Sequence, residues 1–233
     1  RNSPQDFPKG EERIPKSLPI LLQNNQKNEQ ESLIKLENIN NSYGEKQVLK
    51  NIDWEVNSGE QWLLQGHNGS GKSTLLSLLN GDHPQAYANQ IHLFGQKRGS
   101  GESIWDIKEK IGMISPELHW YFDMNANVGQ TIASGFFDSM SLYQKLSFDQ
   151  QKQLEQILYF FDLKDDKNKK LSTLPLGKQR LALLARTLIK KPKLLILDEP
   201  CQGMDNEQTQ YFNQVIDDLA SQGQSLIYVG HFE

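Results

Sequence analysis

The stretch that most constrains this chain is Gly66-His67-Asn68-Gly69-Ser70-Gly71-Lys72-Ser73-Thr74. It fits G-x-x-x-x-G-K-[ST], the phosphate-binding loop or P-loop. Each part has its own physical reason. The glycines let the backbone fold tightly, so that several N–H groups point at one anion. Lys72 adds a mobile positive charge for β- and γ-phosphates, Ser73 a hydroxyl for Mg²⁺, and Thr74 a second hydroxyl near the phosphates. A following helix adds the positive end of its dipole. The setting agrees: Gln61-Trp62-Leu63-Leu64-Gln65 predicts a short strand before the loop. After it, Leu75, Leu76, Leu78 and Leu79 share one helix face that Gly81 closes.

The rest of the chain fits an α/β protein. Its 233 residues suffice for one large domain or a core with an insertion. A net charge of −4 argues against a nucleic-acid partner, which calls for a basic stripe. The single Cys201 forms no internal disulfide, which fits a reducing compartment. No run approaches the roughly 20 apolar residues of a membrane span.

Residues 1–31, with Pro4, Pro8, Pro15, Pro19 and the run Gln23-Asn24-Asn25-Gln26, read as a linker or arm. The apolar patch Leu18-Pro19-Ile20-Leu21-Leu22 reads as a sticky part of it. The start without Met and the end at His231-Phe232-Glu233 read as cuts from a longer polypeptide. Residues 32–115 read as an antiparallel β subdomain and the first part of the core: the pattern becomes β at Leu33, with partial alternation at Leu33–Glu37 and clean alternation at Ile52–Val56, and turns helical again at Ile104–Ile107. Asn41-Ser42-Tyr43-Gly44 reads as a turn, with Tyr43 placed to stack on a purine. Such stacking contributes about 1–3 kcal/mol. Gly99-Ser100-Gly101-Glu102 lacks the Lys-Ser pair and reads as a plain turn.

From residue 116 to 179 the character turns to helix and loop. Ser147-Phe148-Asp149-Gln150 is a capping box that opens a helix with Leu154, Ile157, Leu158 and Phe161 on one face. Lys164-Asp165-Asp166-Lys167 reads as a solvated turn, and Phe136, Phe137, Tyr143, Tyr159 and Phe160 as core. A helix at Gly177-Lys178-Gln179-Arg180, with Leu181, Leu184, Leu188 and Ile189 inward and Pro192 at its end, leads into the rest of the core over residues 180–233, where Leu194-Leu195-Ile196-Leu197 follows. That apolar run predicts a strand buried on both faces of a parallel sheet. Asp198 and Glu199 follow at its C-terminal end, where such sheets place ligands. Asp198 suits the Mg²⁺ shell, and Glu199 suits orienting or deprotonating an attacking water. A helix at Asn206–Ala220 and a strand at Ser225–Val229 lead to His231, which reads as a γ-phosphate contact.

These features, in this order, resemble the ATP-binding-cassette (ABC) ATPases from Leu33 to Glu233. Tyr43 is similar to the aromatic A-loop, Gly66 to Thr74 to Walker A, and Leu194 to Glu199 to Walker B with its catalytic glutamate. Met204-Asp205 is similar to the D-loop and His231 to the switch histidine. The resemblance implies a P-loop NTPase cassette: a RecA-like parallel-sheet core, an antiparallel β subdomain, and a helical subdomain inserted at 116–179. Gly81-Asp82-His83-Pro84-Gln85, Leu93-Phe94-Gly95, Arg98–Glu102 and Ile104–Lys108 resemble the second cassette of tandem molybdenum-transport-type ATP-binding proteins.

Two departures stand out. The signature L-S-x-G-[EQ]-Q aligns with Leu174-Pro175-Leu176-Gly177-Lys178-Gln179, so that proline replaces the serine expected on an opposing γ-phosphate. Gly177 and Lys178 are nonetheless nucleotide contacts by the resemblance, with Lys178 supplying a charge in place of an acid or amide. The Q-loop glutamine falls at Ser115-Pro116-Glu117, where Glu117 is the substitute. Cassette sites are composite, Walker motifs of one facing the signature of another. This chain therefore combines an intact Walker side with a weak signature side.

The expected function is ATP binding and hydrolysis with Mg²⁺ at Lys72, Ser73, Asp198, Glu199 and His231, powering transport of a molybdate type. Expected partners are a second cassette, in the same parent chain or as a dimer, and a membrane permease, with the chain cytoplasmic at the inner face of the membrane. The alternatives are an ATP-gated assembly module with little hydrolysis and a soluble cassette that acts without a permease.

Overall fold

The computed structural model describes residues 31–80, 83–101, 103–117, 122–139 and 144–230. Within these residues the chain forms two compact units. One comprises 31–113, 192–199 and 223–230, the other 114–191 and 200–222. The expected arm up to residue 30, and Gly81, Asp82, Glu102, Tyr143 and His231, lie outside the described residues.

The first unit holds two sheets. Strands β1 (Ser32–Tyr43) and β2 (Lys46–Asn57) form an antiparallel hairpin with Ile34 opposite Val56, Leu36 opposite Trp54 and Tyr43 opposite Lys46. Register shifts along it break the simple alternation, and the neighbours Leu33 and Ile34 are both buried. Asn41 to Tyr43 are therefore strand, not turn; only Gly44 and Glu45 cross between the strands. Across β1 lies β4 (Gln90–Leu93), then the short edge β5 (Gln96–Lys97), giving the order β2-β1-β4-β5.

The second sheet carries the site. Its strands are β3 (Gln61–Gln65), β6 (Ile111–Ile114), β7 (Leu194–Asp198) and β8 (Ser225–Gly230), in the order β3-β8-β7-β6. β3 and β7 both run parallel to β8. Leu194 to Leu197 are fully buried, as their unbroken apolar run predicts. Gln65 pairs in register with Gly230, and Asp198 with Val229, so three strands finish at one C-terminal edge. Helix α1 (Lys72–Leu79) leaves that edge and buries Leu75, Leu76, Leu78 and Leu79 in a core that includes Ile34, Leu36, Ile91, Ile196 and Ile227. Helix α2 (Ile104–Lys110) completes this unit.

The other unit is helical. Its elements are α3 (Val128–Ala133), α4 (Phe148–Phe160), α5 (Leu176–Ile189) and α6 (Asn206–Ser221). The expected capping box is present: Ser147 Oγ accepts from the Gln150 N–H at 3.2 Å, and Gln150 Oε1 accepts from the Ser147 N–H at 2.9 Å. α5 starts at Leu176, one residue before the helix start read at Gly177, and runs across residue 179 as that reading has it. Its Arg186 is buried beneath the Phe122 ring, 4.7 Å from the centroid, and donates to Ser134 Oγ and the Ser139 carbonyl. Tyr159 is exposed, not core, because it lies on the far side of α4 from Leu154, Ile157 and Leu158. Phe160 is buried, while Phe136 and Phe137 are half-buried.

Within Lys164–Lys167 it is Asp166 that departs from the sequence reading, while Lys164 and Asp165 are exposed as a solvated turn requires. Asp166 is buried, and its two carboxylate oxygens meet Lys169 Nζ at 2.6 Å and Lys178 Nζ at 2.8 Å. Burial alone pushes this carboxyl up, but the hydrogen bonds and charges of the two lysines outweigh it and hold it below the usual aspartate range.

Candidate functional site

The strand-loop-helix from β3 to α1 positions most of the site. Gly71 caps α1 with φ 98° and ψ 5°, a conformation that a side chain resists. A Cβ there would also stand 2.9 Å from Leu49 Cδ2 and 3.1 Å from Val48 Cγ1. At Gly66 a Cβ would approach Ser70 Oγ to 2.6 Å, so a side chain there would displace the Ser70 hydroxyl. No side chain caps α1. The start of α1 thus meets the loop without a cap from its own N-cap residue, and its positive end suits an anion.

Lys72 Nζ donates to the carbonyls of Gly66 at 2.5 Å and His67 at 3.2 Å. These bonds tie its charge across the loop. On the adjoining strand end, Glu199 has φ 46°, a left-handed conformation uncommon for a side-chain-bearing residue. Its N–H donates to the Val229 carbonyl at 3.0 Å, which holds the turn in register with β8.

A cavity of about 350 Å³ joins these elements. It is lined by Tyr43, Lys46, Val48, Asn68, Gly69, Gly71, Lys72, Ser73, Thr74 and Glu199. The structure thus brings the aromatic residue, the loop, the lysine, the hydroxyls and the carboxylate expected from sequence to one concavity. Asp198 stands at the same sheet edge, one residue before Glu199. Ser73 and Asp198 are hard oxygen donors of the kind Mg²⁺ takes, alongside phosphate and water oxygens. His231 lies outside the described residues. Lys46 and Val48 were not singled out from the sequence. The signal was the short Gly44-Glu45 crossing, which sets Lys46 opposite Tyr43.

Tyr43 is held from a loop forty residues away. Its hydroxyl lies 2.9 Å from His83 Nε2, and the two rings meet edge to face with centroids 5.8 Å apart. Nothing local in the sequence announces this pair.

The signature segment belongs to the helical unit. Pro175 is the N-cap of α5 and makes no side-chain cap bond. The Gly177 N–H donates to Gln208 Oε1 at 2.9 Å, and Gln208 in turn is held by Asp205, the N-cap of α6. Lys178 sits on Asp166, with its side chain 16% exposed. Its charge is paired within its own unit with a buried carboxylate that it shares with Lys169. Arg180 is buried, donates to the Ser115 carbonyl at 3.0 Å, and burial lowers its pKa.

Comparison with known proteins agrees with this geometry. Residues 49–202 match the family described as ABC transporter. The chain is 47% identical over 192 residues to the ABC transporter ATP-binding protein ModF of Escherichia coli (strain K12), covering 82% of this chain and 39% of ModF. It is 32% identical over 207 residues to the ABC transporter ATP-binding protein YmeB of Lactococcus lactis subsp. lactis (strain IL1403), covering 86% of this chain and 77% of YmeB. The solved structure of cbiO1 from Clostridium perfringens, part of the ABC transporter complex cbiONQ, superposes with a TM-score of 0.73 at 26% identity. That match covers 87% of this chain and 79% of cbiO1. The chain spans less than half the length of ModF. With its P-loop edge, its two sheets and its helical unit, the chain belongs to the ATP-binding-cassette (ABC transporter) family, whose members are P-loop ATPases.

Proposed function

We propose that this chain binds and hydrolyses ATP at the Tyr43–P-loop–Glu199 cavity, as one cassette of a paired assembly. The observation that carries the reading is that one concavity of about 350 Å³ is lined by an aromatic ring, the uncapped start of α1, Lys72 and a carboxylate. The nucleobase stacks on Tyr43. The loop N–H groups and Lys72 hold the phosphate oxygens and stabilise charge in the transition state. Ser73 and Asp198 would hold Mg²⁺, which offsets phosphate charge when bound. Glu199 orients the attacking water and takes its proton. His231 contacts the γ-phosphate; its assignment rests on the sequence alone.

In this reading the Walker side of the chain faces the signature of a second cassette, and ATP closes the pair as a population shift. The chain is cytoplasmic and works beside a membrane permease, powering transport of a molybdate type. What supports the transport reading is the kinship with ModF, an ABC transporter ATP-binding protein, and with cbiO1, part of an ABC transporter complex; the molybdate type rests on the sequence resemblance. No helix among the described residues is long and apolar enough to cross a membrane.

The test is MgATP hydrolysis by the chain beside Glu199→Gln, with nucleotide binding measured on both. We expect turnover to fall by at least about 100-fold while binding persists. Equal turnover in the two forms would remove Glu199 from the chemistry. A second reading, a nucleotide-gated module with little hydrolysis, is favoured by two observations: Pro175 has no hydroxyl, and Lys178 is committed to Asp166. Binding without turnover in both forms would point to this module or to a half-site that needs its partner cassette, and turnover restored by adding that cassette would choose the half-site.

A further inference from the structure

The loop after α1 is fastened to the end of β1 by side chains. His83 is 8% exposed and caps a 3₁₀ turn, Pro84–Ala88. Its Nδ1 accepts from the Gln85 N–H at 3.1 Å. The Gln85 side chain accepts from Asn41 Nδ2 at 2.7 Å and donates to the Ser42 carbonyl at 3.0 Å. Asn89 closes the far end, accepting from the Asn40 N–H at 2.9 Å and donating to the Gln85 carbonyl at 2.9 Å. Every strand residue from Asn40 to Tyr43 is thus bonded to the 83–89 loop.

The bond to Nδ1 fixes the chemistry of the imidazole. An acceptor nitrogen carries no hydrogen, so the neutral ring bears its hydrogen on Nε2. Nε2–H then donates to Tyr43 Oη at 2.9 Å. The contact uses the hydroxyl and meets the tyrosine at an interplanar angle of 73°, while Tyr43 stays 53% exposed on the cavity wall. One side chain is therefore restrained at its tip and open on its surface, as a stacking platform requires. An exposed tyrosine with no such restraint would lose rotamer freedom on stacking, a cost of the kind that preorganisation removes.

We propose that His83 is the positioning residue of the nucleobase platform: its Nε2–H holds the Tyr43 ring in the orientation that stacks on the base. The proposal rests on the nucleotide reading above and deepens it. It separates two parts of ATP recognition. The P-loop holds the triphosphate without regard to His83, and the base is held only as well as Tyr43 is aimed.

The test compares ATP with inorganic tripolyphosphate, each measured by calorimetric titration against the whole chain in the presence of Mg²⁺. His83→Asn keeps an oxygen to cap Gln85, since Asn is a good N-cap, but withdraws the group that reaches Tyr43. It should weaken ATP about three- to tenfold, the fold-change of one net hydrogen bond, and leave tripolyphosphate unchanged. Tyr43→Phe should do the same, and the double variant should be no weaker than either single. The proposal is overturned if His83→Asn binds ATP like the wild type. It is also overturned if ATP and tripolyphosphate weaken alike, which would make His83 a loop fastener only, or if the two losses multiply. A wild type that binds tripolyphosphate as tightly as ATP would remove the platform and keep the phosphate site. A wild type that binds neither would overturn the nucleotide reading itself.

Discussion

Substituting Gly71 by Ala tests the geometry on which the phosphate loop depends. Two terms oppose the new Cβ. A φ of 98° is left-handed backbone, where a non-glycine residue carries about 1–2 kcal/mol of strain. The Cβ would also press on Leu49 Cδ2 at 2.9 Å, Val48 Cγ1 at 3.1 Å and the Val48 carbonyl at 3.2 Å. Overpacking of this kind costs about 1–3 kcal/mol. The Leu49 contact yields cheaply because it is a side-chain tip, whereas the Val48 carbonyl is backbone on β2 and does not. Together the terms come to about 2–5 kcal/mol. The internal control is Gly69→Ala: φ there is 79°, yet nothing lies within 4 Å of its Cβ, so only the strain applies. Urea unfolding of both variants measures the difference. We expect Gly71→Ala to be less stable than Gly69→Ala by about 1–3 kcal/mol, the overpacking share alone. Equal losses would refute the packing argument and reduce the role of Gly71 to its dihedral angle.

Two further outcomes are expected. Asp166→Asn leaves Lys178 without its buried carboxylate and should destabilise the chain by about 2–3 kcal/mol at neutral pH, less than a fully buried pair because Lys169 is half in solvent. The folded Asp166 resists protonation, so its contribution is present above the ordinary aspartate value of about 3.9 and fades as pH falls through and below it. Stability followed from pH 7 downward should therefore converge for wild type and variant in acid, and parallel curves would contradict the pairing. Pro175→Ser exchanges backbone rigidity for a helix cap that Pro175 does not provide; these effects are each about 0.5–1 kcal/mol and opposite in sign. Stability should thus hardly move. Turnover of the chain paired with itself should rise if the weak signature limits it, and unchanged turnover would count against that limit.

Much of the architecture was legible because its causes are local. The P-loop announces itself through residues within one turn of chain, and the Ser147 capping box through a spacing of three. The run Leu194–Leu197 predicted a doubly buried strand because burial on both faces forbids polar alternation. Asp198 and Glu199 could be placed at a strand end for the same reason. The errors had the opposite origin. Tyr43 read as a turn residue because a strand that ends in a two-residue crossing has no periodicity left to display. Asp166 read as solvated because four charged residues in a row look like surface until a lysine twelve positions on is folded over one of them.

The sequence by itself determined that a phosphate loop joins a strand to a helix, that a carboxylate pair ends a buried strand, and that the signature lacks its serine. These follow from the identity and spacing of neighbouring residues, which local sterics and hydrogen bonding convert into structure. Only the tertiary structure decided that Tyr43 shares a cavity with Glu199, that His83 grips its hydroxyl, and that Lys178 is held by Asp166. Such pairings join residues 12 to 156 positions apart, taking Asp166–Lys178 and Tyr43–Glu199 as the extremes. Chain spacing carries no information about them, because loop closure costs little more for a long loop than for a short one. Side-chain packing and hydrogen-bond satisfaction in the folded units select the partners instead.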